Sequence, residues 1–241
     1  MMELFKSSPE FRRGRPWRIE VPWPFLPLVL LSTFGVVSAA AIFVSRRLRH
    51  LPGLLTEGMV QTSMVATVLI MFALIPPLGR IAGKTGMRKI GRSELKFVPV
   101  GLLLIYAWQI ITMPFWEKLL ERLTFHGSQQ QELLTVCSQS SLPQYFGMLA
   151  LAAVLIPFVE EVVYRRLLFG VFRPLGVWAA LILTAAIFAA MHGFVYGFPA
   201  LFGLGVVFQW QYLRTGNLWT STLTHMIYNF ISLTLVFLLR Q

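Results

Sequence analysis

Long apolar runs limit what this chain can fold into. Of its 241 residues, 56% are hydrophobic and only 13% are charged. A segment in the hydrocarbon core of a bilayer must satisfy its own backbone polar groups, so helices of about 20 apolar residues are expected there. The composition therefore predicts an all-α, polytopic membrane protein rather than a soluble domain.

The apolar runs predict about seven transmembrane helices joined by short loops. They fall at about residues 24–44, 58–79, 97–115, 144–173, 176–193, 199–213 and 219–239. Residues 1–23 form a basic tail, and residues 24–241 form the membrane domain. Residues 116–143 mix charged and apolar positions, which is typical of an interfacial amphipathic helix followed by a loop.

The basic residues indicate a membrane surface rather than a nucleic acid partner. The net charge is +11, and the Lys and Arg residues lie in the tail and the short loops that flank apolar runs. With a cytoplasmic N-terminus, most of the 21 basic residues fall on the inner side, as the positive-inside rule requires. We therefore expect an integral protein of the cell's inner or plasma membrane, in contact with the lipid bilayer.

The span at 144–173 carries acids and bases within apolar surroundings, where such residues by default mark a functional site. Glu160 and Glu161 are adjacent, and Arg165 follows Glu161 at i+4. Residues at this spacing share one helix face, so Glu161 and Arg165 can form an ion pair. Glu160 lies about 100° away, on the face of Tyr164. One carboxylate is thus expected to be structural and the other free.

Three further polar residues lie in the last spans. His192 ends one apolar run, and His225 and Asn229 share a face of the final span because they are four residues apart. Each alone can be a polar residue that joins helices. Counting about 1.5 Å per residue from the turns places Glu160 and His192 at a depth of roughly 20–25 Å and His225 and Asn229 near it. We therefore expect these residues to meet in a polar cavity among spans four, five and seven.

Several classes of hydrolase are excluded by absences. The chain has no Asp, so it has neither a Ser-His-Asp triad nor a pair of catalytic aspartates, and HExxH does not occur. The single Cys137 excludes an intrachain disulfide and a Cys-rich metal site. We interpret Cys137 as a small apolar core residue.

Three motifs carry a family resemblance. The sequences EEVVYR at 160–165, FAAMH at 188–192 and HMIYN at 225–229 resemble EExxxR, FxxxH and HxxxN. These are motifs of the CAAX-processing and bacteriocin-processing intramembrane endopeptidases, which are glutamic-type proteases. The resemblance covers about residues 144–241 and implies a peptidase core there. One departure is Arg166, where a glycine often follows the motif arginine.

The resemblance implies a CAAX prenyl endopeptidase-like hydrolase that cuts a peptide or membrane protein near its C-terminus. The residue types suggest a mechanism for this hydrolysis. Glu160 can act as general base on a water molecule that His192 helps to hold. His225 and Asn229 can donate hydrogen bonds to the oxyanion of the tetrahedral intermediate. Supporting roles around these catalytic residues fall to Glu161, Arg165, Tyr164 and Phe188.

Two alternatives stay open at this point. Glu160, His192 and His225 form a potential His₂Glu zinc set with an open position. We favour a metal-free site with no cofactor, because the usual ligand signature is absent and the resemblance to structurally understood CAAX-processing members implies a glutamate mechanism. The other alternative is a non-catalytic membrane protein of the same fold, such as an immunity or scaffold protein.

Overall fold

The computed structural model describes residue 87 and residues 89–125 and 132–239. All regular secondary structure in these ranges is helical. The expected basic tail at 1–23 and the first two expected spans, at 24–44 and 58–79, lie outside the described residues. The all-helical class is therefore confirmed for the described part, whereas the number seven stays a prediction.

Seven helices, labelled here in chain order, make up this part of the fold. They are α1 (Arg92–Leu95), α2 (Phe97–Arg122), α3 (Glu132–Gln139), α4 (Leu142–Leu175), α5 (Val177–Met191), α6 (Phe198–Thr215) and α7 (Leu218–Leu238). Three stretches are long and apolar enough to cross a membrane: α1 with α2, α4 and α7. The last four helices follow the expected spans to within a few residues. The chain is thus an integral membrane protein.

The expected interfacial helix at 116–143 is wrong in its first part. Helix α2 continues to Arg122 without a break at Pro114. Its last turns stay helical because one face still packs: Leu120 is buried, and the indole N–H of Trp116 donates to the Val195 carbonyl at 2.9 Å. The helix ends at Arg122, and Thr124, two residues further on, has a φ of 50°. The charged residues on the other faces of α2 therefore belong to the same helix and do not indicate a separate interfacial helix.

Helix α4 is one rod with an irregular backbone. Two π-helical segments, Leu149–Leu155 and Glu161–Leu168, flank the α-helical turns Ile156–Glu160. Such wider turns are uncommon in proteins and occur often at functional sites. Glu160 is the last residue of the α-helical part, and Glu161 is the first of the second π segment. The two glutamates therefore sit where the helical register changes.

Helix α6 packs against α2, α5 and α7 and so forms the centre of the described bundle. Its contact with α5 depends on Gly205, because a Cβ there would lie 2.9 Å from the Cα of Ala185. At its end, Gly216 adopts a left-handed φ of 64° and donates its N–H to Tyr212. Asn217 then caps α7 by accepting from the Trp219 N–H. This tight corner brings α7 back along the bundle toward α4.

Candidate active site

The carboxylate of Glu161 is enclosed by protein. Its side chain is fully buried, and both oxygens accept from Arg165 Nε at 3.2 Å. This confirms the ion pair that the i,i+4 spacing predicts. A buried ion pair needs additional hydrogen bonds to offset its desolvation. One comes from the Nδ1 of His225, which lies 3.2 Å from Glu161 Oε1.

Arg165 is held by three helices at once. Its Nη1 donates to the Gly205 carbonyl of α6 at 3.2 Å. The guanidinium carbon lies 4.8 Å from the ring centroid of Phe188, 5.4 Å from Phe208 and 5.8 Å from Tyr164. Arginine over aromatic faces is favourable, more so where water is excluded. Arg165 therefore joins the glutamate turn of α4 to α5 and α6.

His225 lies between the two glutamates. Its Nδ1 is at hydrogen-bond distance from Glu161, and its Nε2 lies 3.7 Å from Glu160 Oε2. The ring is 2% exposed and stacks on Phe208 with centroids 4.6 Å apart. A proton on Nδ1 donates to Glu161 and fixes the ring's orientation, which leaves Nε2 facing Glu160. The structure thus confirms that a residue of α7 reaches the glutamate turn.

Glu160 has much sparser surroundings than Glu161. Its side chain is 16% exposed, and its ion-pair partner in the described part of the chain is His225. The separation of 3.7 Å is longer than a hydrogen bond. Unlike Glu161, Glu160 forms no ion pair with an arginine within the described ranges. The expectation that one carboxylate is structural and the other free agrees with these contacts.

His192 lies just beyond the end of α5, facing its own helix. Its Nδ1 is 2.7 Å from the Phe188 carbonyl, so a proton there would leave Nε2 as an acceptor. The Phe188 ring is fully buried, packs edge-on against Tyr164 at 5.1 Å and lies 4.8 Å from the imidazole. Within the described residues, His192 forms no hydrogen bond or ion pair with Glu160. Direct contact with the glutamates is therefore made by His225 and not by His192.

Asn229 contacts the backbone of α4 rather than the glutamates. Its Nδ2 donates to the Ala152 carbonyl at 2.8 Å. It forms no hydrogen bond with His225 or Glu160 among the residues that the structure describes. The spacing correctly places Asn229 on the His225 face of α7, but the Ala152 partner is not visible in the motif.

A model for type II CAAX prenyl endopeptidases, described as Rce1-like, matches residues 142–231. This match supports the resemblance to the CAAX-processing and bacteriocin-processing family in the region that carries the three motifs. The chain is also similar to the membrane-embedded CAAX protease MroQ of Staphylococcus aureus (strain USA300), with 23% identity over 217 residues. That alignment covers 85% of this chain and 81% of the relative.

These matches confirm the resemblance carried by the three motifs, and they support a protease in the membrane. No solved structure matches the chain. The matched region includes α4 to the middle of α7, and so it contains both glutamates, His192, His225 and Asn229.

The zinc set considered from the sequence, Glu160, His192 and His225, stays an alternative. In residues 87, 89–125 and 132–239, no three His, Cys, Asp or Glu side chains are grouped so as to hold a metal ion. We therefore derive no chemical step through a metal, and the metal-free site stays a prediction.

A groove of about 310 Å³ lies between α4 and α7. Its lining is apolar: Leu149, Ala150, Ala153, Val154, Met226, Ile227 and Phe230. It differs from the expected polar cavity, which stays a prediction. Sequence reasoning also missed Gly205 and Phe208, the contacts of Arg165 and His225 on α6. The apolar run at 199–213 predicted α6 itself. The feature that could have indicated its close contacts is the pair of glycines at 203 and 205.

Proposed function

We propose that this protein is an intramembrane endopeptidase in which Glu160 activates water for the hydrolysis of a peptide bond. The observation that carries the proposal is the position of His225, whose two ring nitrogens face the two adjacent glutamates. Contacts between carboxylate and imidazole of this kind supply a base and a donor at one point.

The two glutamates have different roles in the proposed mechanism. Glu161 is occupied by Arg165 and His225, so its role is to orient the imidazole. Glu160 is partly exposed, and its ion-pair contact within the described part of the chain is 3.7 Å long, so it would be available to water. As general base, Glu160 would take a proton from water while the oxygen attacks the scissile carbonyl. The same proton would then pass to the nitrogen of the leaving group, which restores the carboxylate.

The remaining residues would stabilise charge and hold the water. With a proton on each nitrogen, His225 would be paired with Glu161 and could donate from Nε2 to the oxyanion. The second amide N–H of Asn229 is the other proposed donor. His192, with Nδ1 directed at Phe188, would offer Nε2 to the attacking water. We propose no covalent intermediate and no metal.

The names of the matched family and relative suggest the substrate class. Both refer to CAAX proteins. We therefore propose a membrane-bound peptide or protein cut near its C-terminus, with the peptidase core at residues 144–241. A lipidated C-terminal CAAX peptide is the first substrate to test.

The test uses the purified full-length chain in lipid nanodiscs with that peptide in water enriched in ¹⁸O. We expect one heavy oxygen in the new carboxylate of the product, and none with Glu160→Gln. Glu117→Gln is the control, because Glu117 is exposed on α2 and far along the chain from the motifs. If the wild-type chain leaves the peptide intact, the membrane proteomes of cells with wild-type and Glu160→Gln protein are compared. Identical proteomes would indicate the non-catalytic alternative.

We also propose that the protein lies in the inner or plasma membrane with a cytoplasmic N-terminus. The support is the distribution of basic loops. Single cysteines at Ile90 and Ser128, in a Cys137→Ser background, test this orientation. An impermeant thiol reagent added to intact cells should reach position 128 and leave position 90 unlabelled. The reverse pattern would overturn the orientation.

A further inference from the structure

The backbone of α4 has a defect between Ala152 and Pro157, just before the glutamates. At the end of the first π segment, the N–H of Ile156 donates to the Leu151 carbonyl, five residues back. In this register the next donor, residue 157, would serve Ala152. Residue 157 is a proline, which has no N–H. The Ala152 carbonyl is therefore left without a donor from its own helix.

An unpaired carbonyl at this place is costly. Ala152 is 2% exposed and Pro157 is also buried. Backbone groups in a membrane span cannot turn to water, so each needs a partner within the protein. The α-helical alternative is also closed, because its donor would be Ile156, which is committed to Leu151.

The partner comes from the other side of the site. Asn229 of α7 places Nδ2 2.8 Å from the Ala152 oxygen, across 77 residues of sequence. An amide is well suited to this task, because it donates without charge and keeps a second N–H. Four residues earlier on the same face of α7, His225 contacts Glu160 and Glu161. The two contacts together set how α7 lies along α4.

We infer that Pro157 and Asn229 act as a pair that positions the catalytic histidine. Pro157 exposes a carbonyl of α4, and Asn229 binds it, which holds α7 in the register that places His225 between the glutamates. Asn229 is thus a positioning residue in addition to any contact with substrate. The inference about the pair rests on structure alone, and only its kinetic consequence rests on the proposed function.

A double-mutant cycle tests the pair. Its members are the wild-type full-length protein, Asn229→Ala, Pro157→Ala and the double variant, each measured by thermal unfolding in nanodiscs. Asn229→Ala should lower Tm by about 3–8 °C, because a buried carbonyl loses its donor. Alanine at 157 supplies a backbone N–H that can serve Ala152. The double variant should therefore recover at least half of the Tm that Asn229→Ala loses.

The control breaks a similar bond elsewhere on α7. The Tyr145 and Thr234 hydroxyls are 2.7 Å apart and also join α7 to α4, but this bond is between two side chains and does not involve the Ala152 carbonyl. Thr234→Val should lower Tm, and Pro157→Ala should not restore it. If Asn229→Ala does not accumulate, Asn229→Ser replaces it, since its shorter side chain also leaves Ala152 unbound.

Kinetics separate positioning from simple stability. Well below Tm, Asn229→Ala should lower kcat with little change in KM, and Pro157→Ala should restore part of that kcat. A residue that only donates to the oxyanion would show no rescue of either Tm or kcat by Pro157→Ala. Additive effects on Tm, or an unchanged Tm in Asn229→Ala, would overturn the inference. If the protein cuts no peptide at all, the proposed function is wrong. The Tm values of the four proteins still test whether Pro157 and Asn229 act as a pair.

Discussion

Two adjacent glutamates have opposite surroundings in this protein. The closed half of the site consists of Glu161, Arg165 and the Nδ1 side of His225, where the acidic and basic side chains are fully buried and bonded to each other. The open half consists of Glu160, which is 16% exposed, and His192, which contacts its own helix. Two adjacent positions thus hold a carboxylate that is bonded within the structure and one that is partly exposed.

In the proposed mechanism, this difference decides which carboxylate acts as the base. A buried acid with three hydrogen-bond contacts cannot accept a proton from water without losing them. Glu160, whose ion-pair contact in the described residues is 3.7 Å long, would lose no comparable hydrogen bond on accepting a proton. His225 contacts both halves. Its contact with Glu161 in the closed half therefore orients the ring whose Nε2 faces Glu160 in the open half.

The largest effect on turnover should come from Glu160→Gln. The amide cannot act as a base, so kcat should fall by about 10²–10⁴-fold. Because Glu160 has no closer ion-pair partner than His225 in residues 87, 89–125 and 132–239, yield and Tm should stay near wild type. Rate assays and thermal unfolding on one preparation, with Glu117→Gln as control, measure both. Full turnover by Glu160→Gln would show that Glu160 is not the base, and the proposed functional difference between the open and closed halves would be wrong.

His225→Ala should affect both halves. Loss of the proposed oxyanion donor should lower kcat by about 10²–10³-fold. Glu161 also loses its contact with Nδ1, so Tm should fall as well, in contrast to Glu160→Gln. Turnover at 25 °C and thermal unfolding test the variant. A fall in Tm with kcat unchanged would mean that His225 only joins α7 to α4.

Glu161→Ala should act mainly on stability. It leaves the fully buried Arg165 without its ion-pair partner, at a cost of about 3–5 kcal/mol. Glu161→Gln keeps an acceptor and should cost less. Expression level and Tm are the readouts, with the activity of the folded fraction measured beside them. If Glu161→Ala folded as well as wild type but lost all activity, the roles of the two glutamates would have to be exchanged.

The smallest effect should come from chelation. With Glu160 as the base and no metal in the proposed mechanism, exhaustive dialysis against a chelator should leave kcat unchanged. Metal analysis should find less than one zinc per chain. Loss of activity that zinc restores would leave the same residues in place but replace the mechanism of the open half.

The sequence alone determined whatever depends on local periodicity. Apolar runs predicted the helices, and the i,i+4 spacing predicted the pair of Glu161 and Arg165, because neighbours on one helix face meet whatever surrounds them. The motifs indicated the family. Residue counting from the turns also placed His225 at the depth of the glutamates.

Only the tertiary structure decided which atoms meet. The contact of His225 with Glu161 spans 64 residues and that of Asn229 with Ala152 spans 77, so neither follows from helical spacing. The change from π-helical to α-helical register around Pro157 decided which carbonyl lacks a donor. These contacts depend on how one helix slides and rotates against another. That is set by packing at sites such as Gly205, because side-chain volumes across the whole bundle must fit together at once.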